Sequence, residues 1–228
     1  MKISSEFSKY AQDYEYHNII QEKVAQKVLS FVHNEPKNIL DLGCGRGALV
    51  EKISWQYEHF VGVDFSKGML ALHPKSNKIE CIYSDFNDIK LFKYLQHYTF
   101  DYILSASALQ WAKDLESLFE NIAKLGTPFS LAIFTSNTFK TLHETAGIRS
   151  PLRDQKTLYT LQEKYLNADF EVKNYSLQFE TVQDMFRYIK KSGVSGSRNI
   201  LSFKEMKHLM QSYPLDVLEF EVVFIHSR

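Results

Sequence analysis

A chain of 228 residues and 26.6 kDa is long enough to bury a core without a disulfide or metal staple, and it sits at the upper end of single-domain size. Apolar residues make up 44% and charged residues 24%, which excludes a disordered or collagen-like chain. Lysine plus arginine equals aspartate plus glutamate at 27 each, so the overall charge argues for neither nucleic acid nor a membrane as partner, and any electrostatic surface has to be local. The two cysteines, Cys44 and Cys81, form no Cys-x-x-Cys or Cys/His cluster, so neither a disulfide framework nor a metal site is expected. The first thirty residues carry Glu6, Asp13, Glu15 and Glu22, and nowhere do about eighteen apolar residues run together; a reduced, cytoplasmic compartment is the expectation.

Along the chain, Phe7, Tyr10, Ala11, Tyr14, Ile20, Val24, Val28 and Phe31 follow helical spacing, so residues 6 to 33 predict one long amphipathic helix or two successive ones, stopped by His33, Asn34, Glu35 and Pro36. The run 38–42 reads as a short buried strand. It ends in Gly43, Gly45 and Gly47 and passes into the apolar pattern Leu49, Val50, Ile53, which predicts a strand, loop and helix. Further strands are predicted at 60–64, 80–83, 100–106 and 129–134, with helical segments between them, the pattern of a parallel sheet covered on both faces. Beyond Thr135 the reading is helices near 140–144 and 158–166, a strand at 170–178, a helix at 182–191 and a β-rich end at 217–226. The whole chain reads as one domain: an N-terminal helical cap (1–36), a cofactor-binding half (37–135), and a substrate-side half (136–228) whose segment 182–210 is a basic capping element.

A glycine turn between a buried strand and a helix lets a ligand approach the backbone and offers unpaired N–H groups to it. Asp64 ends the second strand, where a carboxylate grips ribose hydroxyls. Gly43, Gly45 and Ala48 also satisfy the dinucleotide pattern Gly-x-Gly-x-x-Gly/Ala, so a nicotinamide cofactor stays open, whereas the absence of a Lys-Ser/Thr pair excludes a triphosphate loop. Asp41, two residues before the first glycine, is placed to receive an amino group, and Asp85 with Phe86 to meet an adenine edge. These features favour S-adenosylmethionine.

Ile39-Leu40-Asp41-Leu42-Gly43-Cys44-Gly45-Arg46-Gly47, then Val61-Gly62-Val63-Asp64-Phe65-Ser66 with Met69-Leu70, then Ser84-Asp85-Phe86, resemble the ordered motifs of class I S-adenosylmethionine-dependent methyltransferases over about residues 5 to 135. The resemblance implies a Rossmann-like α/β fold, a seven-stranded and mostly parallel sheet of order 3-2-1-4-5-7-6 with helices on both faces and an antiparallel terminal strand. It implies S-adenosyl-L-methionine as cofactor. It also places Gly43, Cys44 and Gly45 under the methionine part, Asp64 on the ribose, Phe65 and Met69 beside adenine, Asp85 and Phe86 at the adenine edge, and Tyr14, Asp41 and Ser105 in the same pocket.

Phe7-Ser8-Lys9-Tyr10-Ala11 with Tyr14, Gln21 with Val24-Ala25, the run Ser105 to Trp111, Thr141-Leu142-His143-Glu144, and Phe186 to Gly193 are similar to the malonyl-acyl-carrier-protein O-methyltransferases of biotin synthesis. That likeness implies methyl transfer to the free carboxylate of a malonyl thioester, giving an ester that primes pimeloyl synthesis, with malonyl-acyl carrier protein as partner. One departure stands out: the loop before the fifth strand reads Leu125-Gly126-Thr127-Pro128 where the superfamily usually has Leu-Lys-Pro-Gly-Gly. A small free acid or a quinone as acceptor, or a binding module without turnover, are the competing readings.

A carboxylate with a reference pKa of about 4 is ionised at neutral pH, so this chemistry needs no general base. Tyr10, Gln110, Trp111, Arg149 and Arg198 are the candidate acceptor-binding residues, the arginines because a guanidinium pairs with a carboxylate. Between Phe186 and Met210, Arg187, Lys190, Lys191, Arg198, Lys204 and Lys207 stand against the single Glu205, a local excess of five positive charges that would steer an acidic carrier protein. Aromatic interleaving there is slight, which disfavours nucleic acid.

Overall fold

The structure, a computed structural model, describes residues 18–191 and 203–228. Its elements in chain order are α1 (Ile19–Leu29), β1 (Asn38–Leu42), β2 (His59–Asp64), α2 (Lys67–Leu72), β3 (Ile79–Tyr83), α3 (Ile89–Leu95), β4 (Tyr102–Ala106), α4 (Leu115–Lys124), β5 (Phe129–Phe134), α5 (Lys140–Thr145), α6 (Gln155–Tyr165), β6 (Ala168–Gln178), α7 (Val182–Lys191), α8 (Phe203–Ser212) and β7 (Val217–Ser227). The seven strands form one sheet of order β3-β2-β1-β4-β5-β7-β6. The first five are parallel to one another, and β7 runs antiparallel to both β5 and β6. This is the predicted topology.

Period-two alternation distributes the core. Leu40, Leu42, Val61, Val63 and Ile103 pack on one face against Leu91 and Leu95 of α3 and Phe119 and Ile122 of α4. Ile39, Phe60, Leu104, Phe220 and Phe224 pack on the other against Ile20, Val24 and Val28 of α1 and Met185 of α7. Strands buried on both sides read as continuous apolar runs, which is why β1 and β5 were legible as such.

Three elements differ from the sequence expectation. The described part of the N-terminal helix stops at Leu29, where the Ser30 hydroxyl donates to the Lys27 carbonyl, and Asn34 and Glu35 take positive φ before Pro36. After the glycine loop no α-helix forms: residues 50–52 make a single 3₁₀ turn. Leu49, Val50, Ile53, Trp55 and Tyr57 instead satisfy their apolar pattern by packing under the sheet, with the Trp55 indole donating to the Pro36 carbonyl at 3.0 Å. α8 was not anticipated as a helix.

The 125–128 loop lies at the amino edge of the sheet, where the Pro128 carbonyl accepts from Ile103 N–H at 2.8 Å and Gly126, at φ +65°, ends α4. Its departure from the usual sequence is a turn variation remote from the carboxyl edge.

Phe119 is fully buried between α4 and the sheet. Phe119→Ala is expected to cost about 3–5 kcal/mol, read as a lowered urea midpoint with an unchanged slope.

Candidate cofactor site

At the carboxyl edge of the sheet, between β1 and β4 where the strand order reverses, lies a cleft of about 400 Å³. Its floor is the glycine loop. Gly43 has φ +80° and a Cβ there would sit 2.1 Å from the Ala108 Cβ, so β4's end and the loop can approach only with glycine at this position. Gly47 has φ +95°, and a Cβ would meet Pro74 Cδ at 2.5 Å. His73 and Pro74 thus fill the space beneath the loop. His73 is buried, and desolvation holds its imidazole below its ordinary pKa and favours the neutral form.

The loop's amides are engaged internally. Gly43 and Cys44 N–H both donate to the Val63 carbonyl at 2.8 and 3.0 Å, Gly47 N–H donates to the Cys44 carbonyl at 2.9 Å, and Gly45 N–H donates to Asp64 Oδ2 at 3.0 Å. The expectation that these N–H groups point at a ligand is therefore corrected. A dinucleotide's pyrophosphate needs free amides at a helix N-terminus; here those four amides are paired and no α-helix follows, so the nicotinamide reading loses its physical basis.

Asp64 holds the loop to β2: Oδ2 accepts from Gly45, and Oδ1 accepts from Ser66 N–H at 2.7 Å. Burial pushes its pKa up to about 6 against the pull of these backbone donors. An ionised carboxylate offers about four lone-pair sites, so each oxygen retains one for a sugar hydroxyl. Phe65, Met69 and Phe86 line the same end of the cleft, with Met69 and Phe86 almost fully buried, and supply the apolar surface for a base.

Asp41 lies beneath the loop, 1% exposed, and does not line the cleft; neither carboxylate oxygen has a partner among the described residues. Burial first, and the nearby Asp64 second, raise its pKa well above the ordinary range. Gln21 of α1 does line the cleft, with its Oε1 buried and unpaired. Unpaired acceptors at and under the floor, a side-chain-free cradle at Gly43 and Gly45, and an acid anchored at the end of β2 fit a nucleoside whose other end is cationic. S-Adenosylmethionine has that chemistry, and when bound it supplies an electrophilic methyl group on a sulfonium.

Of the predicted cofactor residues, Gly43, Cys44, Gly45, Asp64, Phe65, Met69 and Phe86 come together in the cleft. Ser105 does not: it is fully buried and its hydroxyl donates to the Leu42 carbonyl at 2.6 Å, tying β4 to β1. Asp85 also lies outside the lining, where Oδ1 accepts from the Asn87 backbone and side-chain amides at 2.9 and 2.6 Å. Among the acceptor candidates Trp111 lines the cleft, whereas Gln110 stands behind it and donates to the Ser107 carbonyl at 2.7 Å. Arg149 is exposed and away from the cleft. Tyr10, Tyr14 and Arg198 lie outside the described residues, as do the side chains of Lys190, Lys191 and Lys204. Arg187 pairs with Asp184 on α7, and Lys207 is exposed on α8. Sequence reasoning missed Asn18, Glu22, Lys52 and Ser107, all of which line the cleft.

A family model described as "Methyltransferase domain" matches residues 39–128, the span from β1 to the start of β5 that builds this cleft. Residues 39–128 thus match a methyltransferase domain, and the strand order is that of the class I S-adenosylmethionine-dependent methyltransferase fold. Among curated relatives, the malonyl-[acyl-carrier protein] O-methyltransferase of Brevibacillus brevis is 26% identical over 99% of this chain and 95% of its own length. That of Bacillus cytotoxicus is 25% identical over 86% of this chain and 76% of its own. A solved structure titled a putative methyltransferase from Bacillus halodurans superposes with a TM-score of 0.62 at 11% identity, covering 90% of this chain and 97% of that one, a likeness of fold.

Two outcomes follow for this site. Protonating Asp64 takes one of the two lone pairs left for a ribose, so affinity for S-adenosylhomocysteine, measured calorimetrically between pH 5 and 8, should be flat above its pKa of about 6 and fall below it, by at most about tenfold per unit. Asp41 has its folded pKa raised, so its ionisation opposes folding: the native state is favoured below the unfolded pKa and loses that advantage as pH climbs toward the folded value. Asp41→Asn should therefore raise the melting temperature by roughly 2–5 °C at pH 8 and by less at pH 4, while weakening cofactor binding.

Proposed function

We propose that this methyltransferase esterifies the free carboxylate of a malonyl group carried on acyl carrier protein. The reading is carried by relatives named for that reaction, one of which matches 99% of the chain. The cleft supports it on chemical grounds. Where β4 ends, Ala106, Ser107, Ala108 and Trp111 form the lining, and these described residues include no acid, base or histidine. An acceptor carboxylate arrives ionised and needs no proton removed. The protein's task is to strip water from that oxygen, hold it in line with the methyl group and exclude hydrolysis, which an apolar wall with an indole accomplishes.

Esterification also removes the charge that an apolar acyl-binding pocket elsewhere would reject. The product then behaves as an uncharged primer. The exposed Lys207, with the basic residues that neighbour it in the sequence between Phe186 and Met210, supports an acidic carrier as the docking partner.

Transfer of tritiated methyl from S-adenosylmethionine to malonyl-acyl carrier protein tests the proposal. The expected product is a labelled ester that releases volatile methanol in alkali. Label appearing on aconitate or a quinone but not on malonyl carrier protein would replace the acceptor. Label appearing nowhere, with S-adenosylhomocysteine still bound, would leave a binding module.

A further inference from the structure

The 3₁₀ turn after the glycine loop places a charged pair on the cleft wall. Lys52, the last residue of the 3₁₀ turn, forms an ion pair with Glu22 of α1, and both line the cleft. Glu22 is fixed from behind by Asn18, whose amide donates to Oε1 at 3.1 Å. Both side chains remain partly open to solvent, 25% for Lys52 and 37% for Glu22. They can therefore meet a ligand without unfolding their surroundings.

Their position along the cleft is informative. Asp64, Phe65, Met69 and Phe86 occupy the nucleoside end, so the part of the cofactor beyond its sulfur extends toward the wall made by Asn18, Gln21, Glu22, Ala25 and Lys52. That part is an α-amino acid, a zwitterion with one ammonium and one carboxylate. A lone cation or a lone acid would attract one group and repel the other. An opposed pair on one wall complements both.

We propose that the Glu22–Lys52 ion pair is exchangeable: it opens to take the zwitterionic head of the cofactor, Lys52 Nζ binding its carboxylate and Glu22 its ammonium. The inference rests on cofactor use and not on the identity of the acceptor. In the free protein the pair keeps two opposite charges from facing the cleft uncompensated. On binding, one intramolecular pair becomes two pairs with the ligand. Because Glu22 belongs to α1 and Lys52 to the loop after β1, the bound head ties the N-terminal helix to the glycine loop. Arg46, the other cation in the lining, sits inside the glycine turn, between Gly45 and Gly47.

The test compares two ligands by calorimetry: S-adenosylhomocysteine, which has the amino-acid head, and 5′-methylthioadenosine, which keeps the nucleoside and sulfur without it. Lys52→Met is expected to weaken S-adenosylhomocysteine at least tenfold and leave methylthioadenosine within twofold. The double variant Glu22→Lys with Lys52→Glu restores an ion pair between α1 and the loop but presents its charges reversed, so the stereochemically fixed head should still bind at least tenfold more weakly. Equal losses for both ligands, or none, would overturn the proposal. So would recovery of wild-type S-adenosylhomocysteine affinity in the swapped variant, since only a structural role survives reversal. A head-selective loss in Arg46→Met, with none in Lys52→Met, would move the site to Arg46.

Discussion

The clasp between the end of β2 and the glycine loop is the contact on which the site depends. Asp64 accepts from Gly45 and Ser66, and the Val63 carbonyl accepts from Gly43 and Cys44. Two adjacent residues of one strand thereby fix both limbs of the turn that leaves the neighbouring strand. A loop followed by a long helix can draw rigidity from that helix. This chain has a single 3₁₀ turn instead, so the clasp, with His73 and Pro74 packed below, does the positioning. The same carboxylate that organises the loop is the one available to the ribose, and loop geometry and ligand recognition are therefore coupled through one ionisation.

That coupling places charge where folding alone would not. Asp41 and Asp64 are both nearly excluded from solvent, and burial first, then the charge of Asp64, raises the cost of ionising Asp41. An uncompensated buried carboxylate destabilises the native state. The hydroxyl of Ser107 adds to this, buried without a partner at a residue held at φ +63°. Such features gather at the rim of the cleft, while the faces packed by α3 and α4 are apolar and well filled. Stability lies in the layers, and strain lies at the carboxyl edge.

Much of this was legible in the sequence because it is local. β1 and β5 are apolar runs bounded by turn residues, and the glycines followed by a carboxylate at the next strand's end identify the crevice before any coordinates. Asp64, Phe65, Met69 and Phe86 were found by their order along the chain. What escaped is what depends on relative orientation. Ser105 and Ser107 are two apart on an extended segment whose side chains alternate, yet only Ser107 reaches the cleft, and a positive φ has no signature in a serine. Asp85 precedes Asn87, whose two amides claim its carboxylate. The helix expected after Gly47 failed because the pattern Leu49, Val50, Ile53 marks burial without specifying a helix, and those residues reach the core from a single 3₁₀ turn and the stretch after it.

The loss of that helix reshapes the chemistry of the cleft. A helix after the glycine loop would direct a positive dipole end at the ligand, which suits phosphate. Without it, and with the loop amides turned inward, the floor offers no concentration of donors. Among the described residues, unpaired acceptors at Gln21 and Asp41 take their place, and the lining carries charges of both signs, Glu22 and Lys52 paired with each other and Arg46 and Glu51 beside them in the loop and turn. An environment of that kind discriminates against anionic nucleotides and favours a ligand that is cationic at its centre and neutral in its head. The selectivity of the site for a sulfonium nucleoside is thus set as much by the helix missing from one connection as by the glycines that announce it.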